Sequence, residues 1–385
     1  MLSRRTRWDR TPNRLAALLE RKRAQGARLI DLTETNPTRV GLTPPTELLA
    51  PLADPGSLRY EPEPLGMPEA RAAVAADFAR RGARVSSDSI LLTASTSEAY
   101  AYLFKLLCDP GDVVLVPRPS YPLFDYLAGL ESVEVATYAL AYDGEWRLDT
   151  RSLAAAVDAR TRAIVLVSPN NPTGSFLKRD EVDAVREVAA RAGAAIVSDE
   201  VFGDYAFGPD PRRVATLAGE REVLAFALGG LSKSCGLPQL KLAWMAVSGP
   251  RAEAAEAIAR LEVVADTYLS VATPVQRAAA GLLGRRTELQ APIAGRVGRN
   301  LASLDGRARG TAATLLRVEG GWSAVLRLPA TISEEDRALE LLEDHDVVVH
   351  PGYFFDFERE AFLVVSLLPP PEAFEEGVDR ILRVL

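Results

Sequence analysis

The chain has 385 residues, 48% hydrophobic and 25% charged, which suits a large α/β domain with a smaller companion and excludes disordered, collagenous or disulfide-stapled classes. Its net charge of −7 gives no general pull toward nucleic acid or anionic membranes, and no apolar run approaches the roughly 18–20 residues of a membrane span. Two cysteines and two histidines are too few for a disulfide framework, a thiolate metal site or a histidine-based triad, so no metal is expected.

The basic N-terminal stretch carries no apolar segment of the secretory kind, and a cytoplasmic protein is the expectation. In chain order, a first helix is expected from about Asn13 to Gln25, with Thr11 as its cap, Pro12 in its first turn and Gly26 at its end. Connectors follow around Pro44–Pro45 and Pro51–Pro55, and an Ala-rich helix stops at Gly82. Apolar runs then recur at Ile90–Thr93, Val113–Val116, Val133–Tyr138, Ala163–Val167, Ala195–Val197, Val223–Leu228 and Leu242–Val247. Helical stretches, notably Glu98–Leu107 and Arg179–Arg191, separate several of them.

Runs without polar alternation suit strands covered on both faces. The expected fold is therefore α/β, a mainly parallel seven-stranded sheet flanked by helices. Arg251–Ala265 reads as a long helix leaving this body, and segments 314–329, 347–355 and 360–370 read as two or three short strands of a smaller α+β domain. The expected division is an N-terminal segment, 1–45, packing with the small domain, a large domain, 46–265, and the small domain, 266–385.

In open α/β sheets ligands bind beyond the carboxyl ends of the strands. Four strands here end in polar, turn-rich stretches. Ala94-Ser95-Thr96-Ser97 opens a helix and reads either as a phosphate seat or as an ordinary cap. The stretch SPNNPTG, 168–174, is a Pro/Asn/Gly turn. Ser198-Asp199-Glu200 places acids at a strand end, and GGLSKSCGLPQLK, 229–241, holds Lys233 in a Gly-bounded turn. Each alone has a bland reading as a cap, a turn or a solvated lysine. Their order is informative.

With NPTG, then Asp-Glu, then Ser-Lys, then a basic residue eight positions on, the chain resembles the class I/II aminotransferases, the aspartate-aminotransferase-like (fold-type I) pyridoxal-phosphate enzymes, from about Ile30 to the C-terminus. The resemblance implies the coenzyme pyridoxal 5′-phosphate. Lys233 would form a Schiff base with its aldehyde and move the substrate α-proton. Asp199 would pair with the protonated pyridine nitrogen; at 4 Å and an effective dielectric of about 20 such a pair is worth about 4 kcal/mol, or about three pKa units. Asn171 would donate to the phenolic oxygen, and Tyr121 would stack on the ring. Ser95, Thr96, Ser97, Ser232 and Lys241 would meet the phosphate, and Tyr60, in RYEP, would reach the neighbouring subunit's phosphate in a homodimer with shared sites. The reaction implied moves an amino group from an amino acid or amine to a 2-oxo acid.

Four departures stand against that pattern. Lys241 replaces a bidentate arginine. Phe202 stands where a tyrosine usually follows the aspartate, leaving Tyr205 as the alternative hydroxyl, and Gly230 stands where a serine often contacts phosphate. Val364, in FLVVS, occupies the position of the arginine that usually clamps the substrate carboxylate, and Thr35, in TETNP, replaces a glycine of the substrate pocket. A valine cannot pair with a carboxylate, so Arg327 or Arg359 is expected to approach from another direction, or the donor is not an ordinary α-amino acid. The alternatives are another fold-type I reaction, such as a carbon–sulfur β-lyase, decarboxylase or synthase, and a coenzyme-binding regulator, which the single helix before Ile30 does not favour.

Overall fold

The computed structural model describes residues 2–269 and 271–385. A short strand, β1 (Ile30–Asp31), precedes eight strands of one sheet: β2 (Ile90–Thr93), β3 (Val113–Arg118), β4 (Glu134–Tyr142), β5 (Trp146–Leu148), β6 (Thr161–Val167), β7 (Ala195–Asp199), β8 (Ala225–Gly230) and β9 (Ala243–Ser248). Their order across the sheet is β2-β9-β8-β7-β6-β3-β4-β5. The pairs β4–β3, β3–β6, β6–β7 and β7–β8 are parallel, while β9 runs antiparallel to both β8 and β2. All seven apolar runs are strands of this sheet. The eighth strand, β5, is an antiparallel edge three residues long, too short to leave an apolar run.

Alternate strand residues face opposite helical layers. Val114, Val116, Val165 and Val197 pack with Tyr100, Leu103 and Leu261 on one face, and Leu115, Ile164 and Ile196 pack with Val182, Val185 and Val188 on the other. Each such burial stabilises by about 1.5–3 kcal/mol, which is why these strands carry no polar alternation.

Five further strands are β10 (Thr314–Leu315), β11 (Ser323–Arg327), β12 (Val347–Val348), β13 (His350–Pro351) and β14 (Phe362–Ser366). Four of them make an antiparallel sheet in the order β10-β11-β14-β13, and β12 pairs in parallel with β1. Leu15, Leu18, Ile30 and Leu32 share a core with Val297, Leu341, Leu363 and Phe374, so the N-terminal segment packs on this smaller sheet. The first helix spans Arg14–Ala24. Its cap is Asn13, whose Oδ1 accepts from the amide of Ala16 at 2.8 Å, rather than Thr11. Among the described residues no helix is long and apolar enough to cross a membrane.

Candidate active site

Strands β2, β3, β6, β7 and β8 run in one direction, so the segments that follow them meet at one edge of the sheet. Asp199 is the last residue of β7, and Lys233 lies in a single helical turn, Leu231–Ser234, directly after β8. The Lys233 amine is held between two aromatic faces, 5.3 Å from the centroid of Phe202 and 4.8 Å from that of Trp322. It makes no hydrogen bond or ion pair among the described residues. Burial pushes it down to about 8, against the opposing pull of Asp199.

Asp199 shows the complementary effect. Burial raises its carboxyl to about 6, although the amide of Val201 at 3.2 Å and the hydroxyl of Tyr100 at 3.2 Å both donate to it, and Lys233 also favours its charge. A half-buried acid with two donors is thus set near a half-buried amine with no partner among the described residues. Tyr205, the expected substitute for the missing tyrosine hydroxyl, donates instead to the Lys233 carbonyl at 2.8 Å and fixes the lysine turn. The Phe202 position offers the amine a ring face and no hydroxyl.

The stretch after β2 is both a helix cap and an open N-terminus. Ser95 Oγ accepts from the Glu98 amide at 3.1 Å, and the Glu98 carboxylate accepts from the Ala94 amide at 2.7 Å. Thr96 and Ser97, in the first turn of the helix Thr96–Leu107, keep their amides and hydroxyls uncommitted among the described residues. The pairings Thr93↔Ala243 and Gly230↔Ala243 bring this turn, the Ser232–Lys233 turn and the exposed Lys241 to the same corner of the sheet. Gly230 has a packing reason of its own: a Cβ there would lie 3.0 Å from the Ala243 Cβ.

Asn171 follows β6 in the 168–174 turn. Its Oδ1 accepts from Ser323 Oγ, 3.4 Å away at the start of β11, so large and small sheets touch at this residue. Gly174 ends that turn with φ +70°, and a Cβ there would meet the Gly320 carbonyl at 2.6 Å. Only glycine suits both demands. Beyond Asn171 opens a cleft of about 380 Å³ lined by Thr35, Tyr121, Tyr126, Ser323, Val364 and Ser366, together with Thr33, His350, Phe354 and Phe355. Tyr121 feels the Asp199 charge, which adds to burial in raising its phenol.

Arg327 and Arg359, the arginines expected to take a substrate carboxylate from another direction, do not line this cleft. Arg327 shares a strand with Ser323 but lies four residues further on, about 13 Å along a strand, and is exposed. Arg359 is exposed in the loop before β14. Tyr60 is 76% exposed and lines a separate groove with Glu61, Leu269 and Thr273. Sequence reasoning did not find Trp322, Tyr100 or His350 as site residues. Tyr100 had a local signal, since it lies one helical turn after Thr96; Trp322 and His350 arrive by tertiary packing and had none.

The family model for aminotransferase class I and II matches residues 29–381. The chain belongs to this family. Among curated relatives of this class I/II member, nicotianamine aminotransferase 1 of rice (Oryza sativa subsp. japonica) is 33% identical over 219 residues, covering 57% of this chain and 44% of its own. The chain thus spans less than half the length of that relative. Glutamate-pyruvate aminotransferase AlaA of Haemophilus influenzae is 26% identical over 377 residues, covering 94% and 91%. Among solved structures, an alanine aminotransferase from Pyrococcus furiosus superposes with a TM-score of 0.90 at 23% identity, covering 100% of this chain and 99% of that one, which shows the shared α/β fold.

Proposed function

We propose that this protein is a pyridoxal-phosphate-dependent aminotransferase that moves an amino group from an amino acid or amine to a 2-oxo acid. The observation that carries the reading is the Lys233 amine, unpaired among the described residues, half-buried between two rings and lowered to about 8, within reach of the Asp199 charge at the carboxyl edge of the sheet. That donor set fits the coenzyme: an amine for its aldehyde, an acid for its ring nitrogen, an amide at Asn171 for its phenolic oxygen and a free helix N-terminus for its phosphate. When bound, the coenzyme supplies an aldehyde to which an amine adds and a ring that takes up the electron pair released at the substrate α-carbon.

The chain's own residues do the rest. An amine near 8 is neutral in useful proportion at physiological pH, so Lys233 can act as nucleophile and then carry a proton to and from the substrate α-carbon. Asp199, held by Tyr100 and Val201, would keep its charge at the ring nitrogen. Thr96, Ser97, Ser232 and Lys241 would bind the phosphate, with Ser95 organising the turn. Tyr121 would cover one ring face, and Phe202 and Trp322 keep water from the amine.

The same reading includes a homodimer, supported by the exposed Tyr60, Leu58 and Leu269, and a cytoplasmic setting. It also keeps the division at residues 45 and 265. The test is a visible-absorbance titration of the coenzyme-loaded protein with amino acids and amines, followed by 2-oxo acids. Loss of the lysine-bound band with a donor and its return with an oxo acid is the expected result. Release of ammonia and pyruvate with no oxo-acid requirement would replace the reading with a lyase.

A further inference from the structure

The cleft beside Asn171 is lined by hydroxyls, an amide, aromatic rings and a single group able to carry positive charge. No lysine or arginine lines it among the described residues, yet any carboxylate-bearing substrate that enters it needs a partner for its anion. His350 is that single group. It pairs with Val364 across β13 and β14, and directly paired residues of antiparallel strands project from the same face with Cβ atoms about 4.5–5.5 Å apart. The imidazole therefore stands beside the valine on the cleft floor. Its ring is braced by Phe354 at 5.5 Å and Phe355 at 5.7 Å, and neither nitrogen makes a hydrogen bond among the described residues.

We propose that His350 receives a substrate carboxylate oxygen in this cleft, taking a proton from solvent as it does so, and that the aromatic walls select carboxylates bearing an apolar or aryl group. The inference rests on the aminotransferase reading for its substrate, but not for its geometry. Burial holds the free imidazole below its ordinary 6.5, with Asp31 of β1 opposing, so burial favours its neutral form before the anion arrives. Among the described residues, the ionisable groups that share the cleft with it are the Tyr121 and Tyr126 phenols; Tyr353 lies in the turn after β13, and the Glu334 carboxyl is already bound by the amides of Tyr353 and Phe362.

An arriving carboxylate favours the imidazolium, so the titration midpoint rises on binding. Affinity is then full below the free midpoint and falls as pH rises toward the bound one. The chain contains only two histidines, so imidazole proton NMR of the coenzyme-loaded protein reads His350 directly, with His345→Gln or His350→Gln as the assigning variant. The probe is 3-phenylpropanoate, a carboxylate with an aryl group and no amine. Saturation is expected to raise the His350 midpoint by about one pH unit or more and leave His345 in place, and His350→Gln to weaken the probe about tenfold and flatten its pH dependence. A bound probe that leaves the His350 midpoint unmoved, equal affinity in His350→Gln, or no binding to the unmodified protein would each overturn the proposal. A protein that takes up coenzyme and transaminates while His350 ignores the probe loses this inference alone; a protein that takes up no coenzyme loses the proposed function instead.

Discussion

At the scale of single residues, the site is built from groups that cost stability. Asp199 is raised to about 6 in the folded chain from 3.8, mainly by burial. Between those values the unfolded chain ionises while the folded chain keeps its proton, so this residue's contribution falls as pH rises through about 4–6 and stays at its lowest above. Two pH units correspond to about 3 kcal/mol, less about 1 kcal/mol for the hydrogen bond that an amide cannot accept. Coenzyme-free Asp199→Asn is therefore expected to be more stable than the parent by about 2 kcal/mol in urea unfolding at pH 7.5, and less stable by about 1 kcal/mol near pH 4, where only the lost hydrogen bond remains. The same variant should bind coenzyme more weakly. A variant less stable than the parent at both pH values would contradict the burial argument.

At the scale of elements, the site depends on a junction between the two sheets. Lys178 is fully buried and donates to Glu319 at 2.7 Å and to the Phe176 carbonyl at 2.8 Å, and Glu319 also accepts from the Phe176 amide. This pair ties the 168–178 turn, which carries Asn171, to the segment that carries Trp322. Removing one partner of a buried pair leaves the other uncompensated, so Lys178→Met should cost about 3–5 kcal/mol in denaturant unfolding, and adding Glu319→Gln should restore part of it. Simple additivity of the two losses would remove the junction from the account. The same junction explains what was legible in the sequence. Strands such as Thr161–Val167 were readable because both faces are buried, and SPNNPTG and GGLSK because each motif is contiguous. The strands at Trp146–Leu148, Thr314–Leu315 and His350–Pro351 are too short to show a period. Trp322 and His350 enter the site only because the small sheet packs there, and the distance of Arg327 from the cleft is set by how its strand packs, which spacing alone does not give.

At the scale of the whole molecule, the proposed homodimer would complete each site with Tyr60 from the other subunit. The exposed Tyr60, Leu58 and Leu269 favour that arrangement. Sedimentation should give twice the chain mass. Co-expressed Tyr60→Phe and Lys233→Ala chains should form hybrids in which one site, with its lysine from the first chain and its tyrosine from the second, regains parental coenzyme affinity. A monomer, or hybrids with no restored site, would remove the shared-site arrangement. The account as a whole turns on one covalent attachment, which borohydride reduction of the coenzyme-loaded protein followed by peptide mass spectrometry reads directly. The predicted result is a single reduced coenzyme adduct on the peptide containing Lys233, absent from Lys233→Ala; an adduct on Lys241 or another lysine, or none after loading with excess coenzyme, would contradict it.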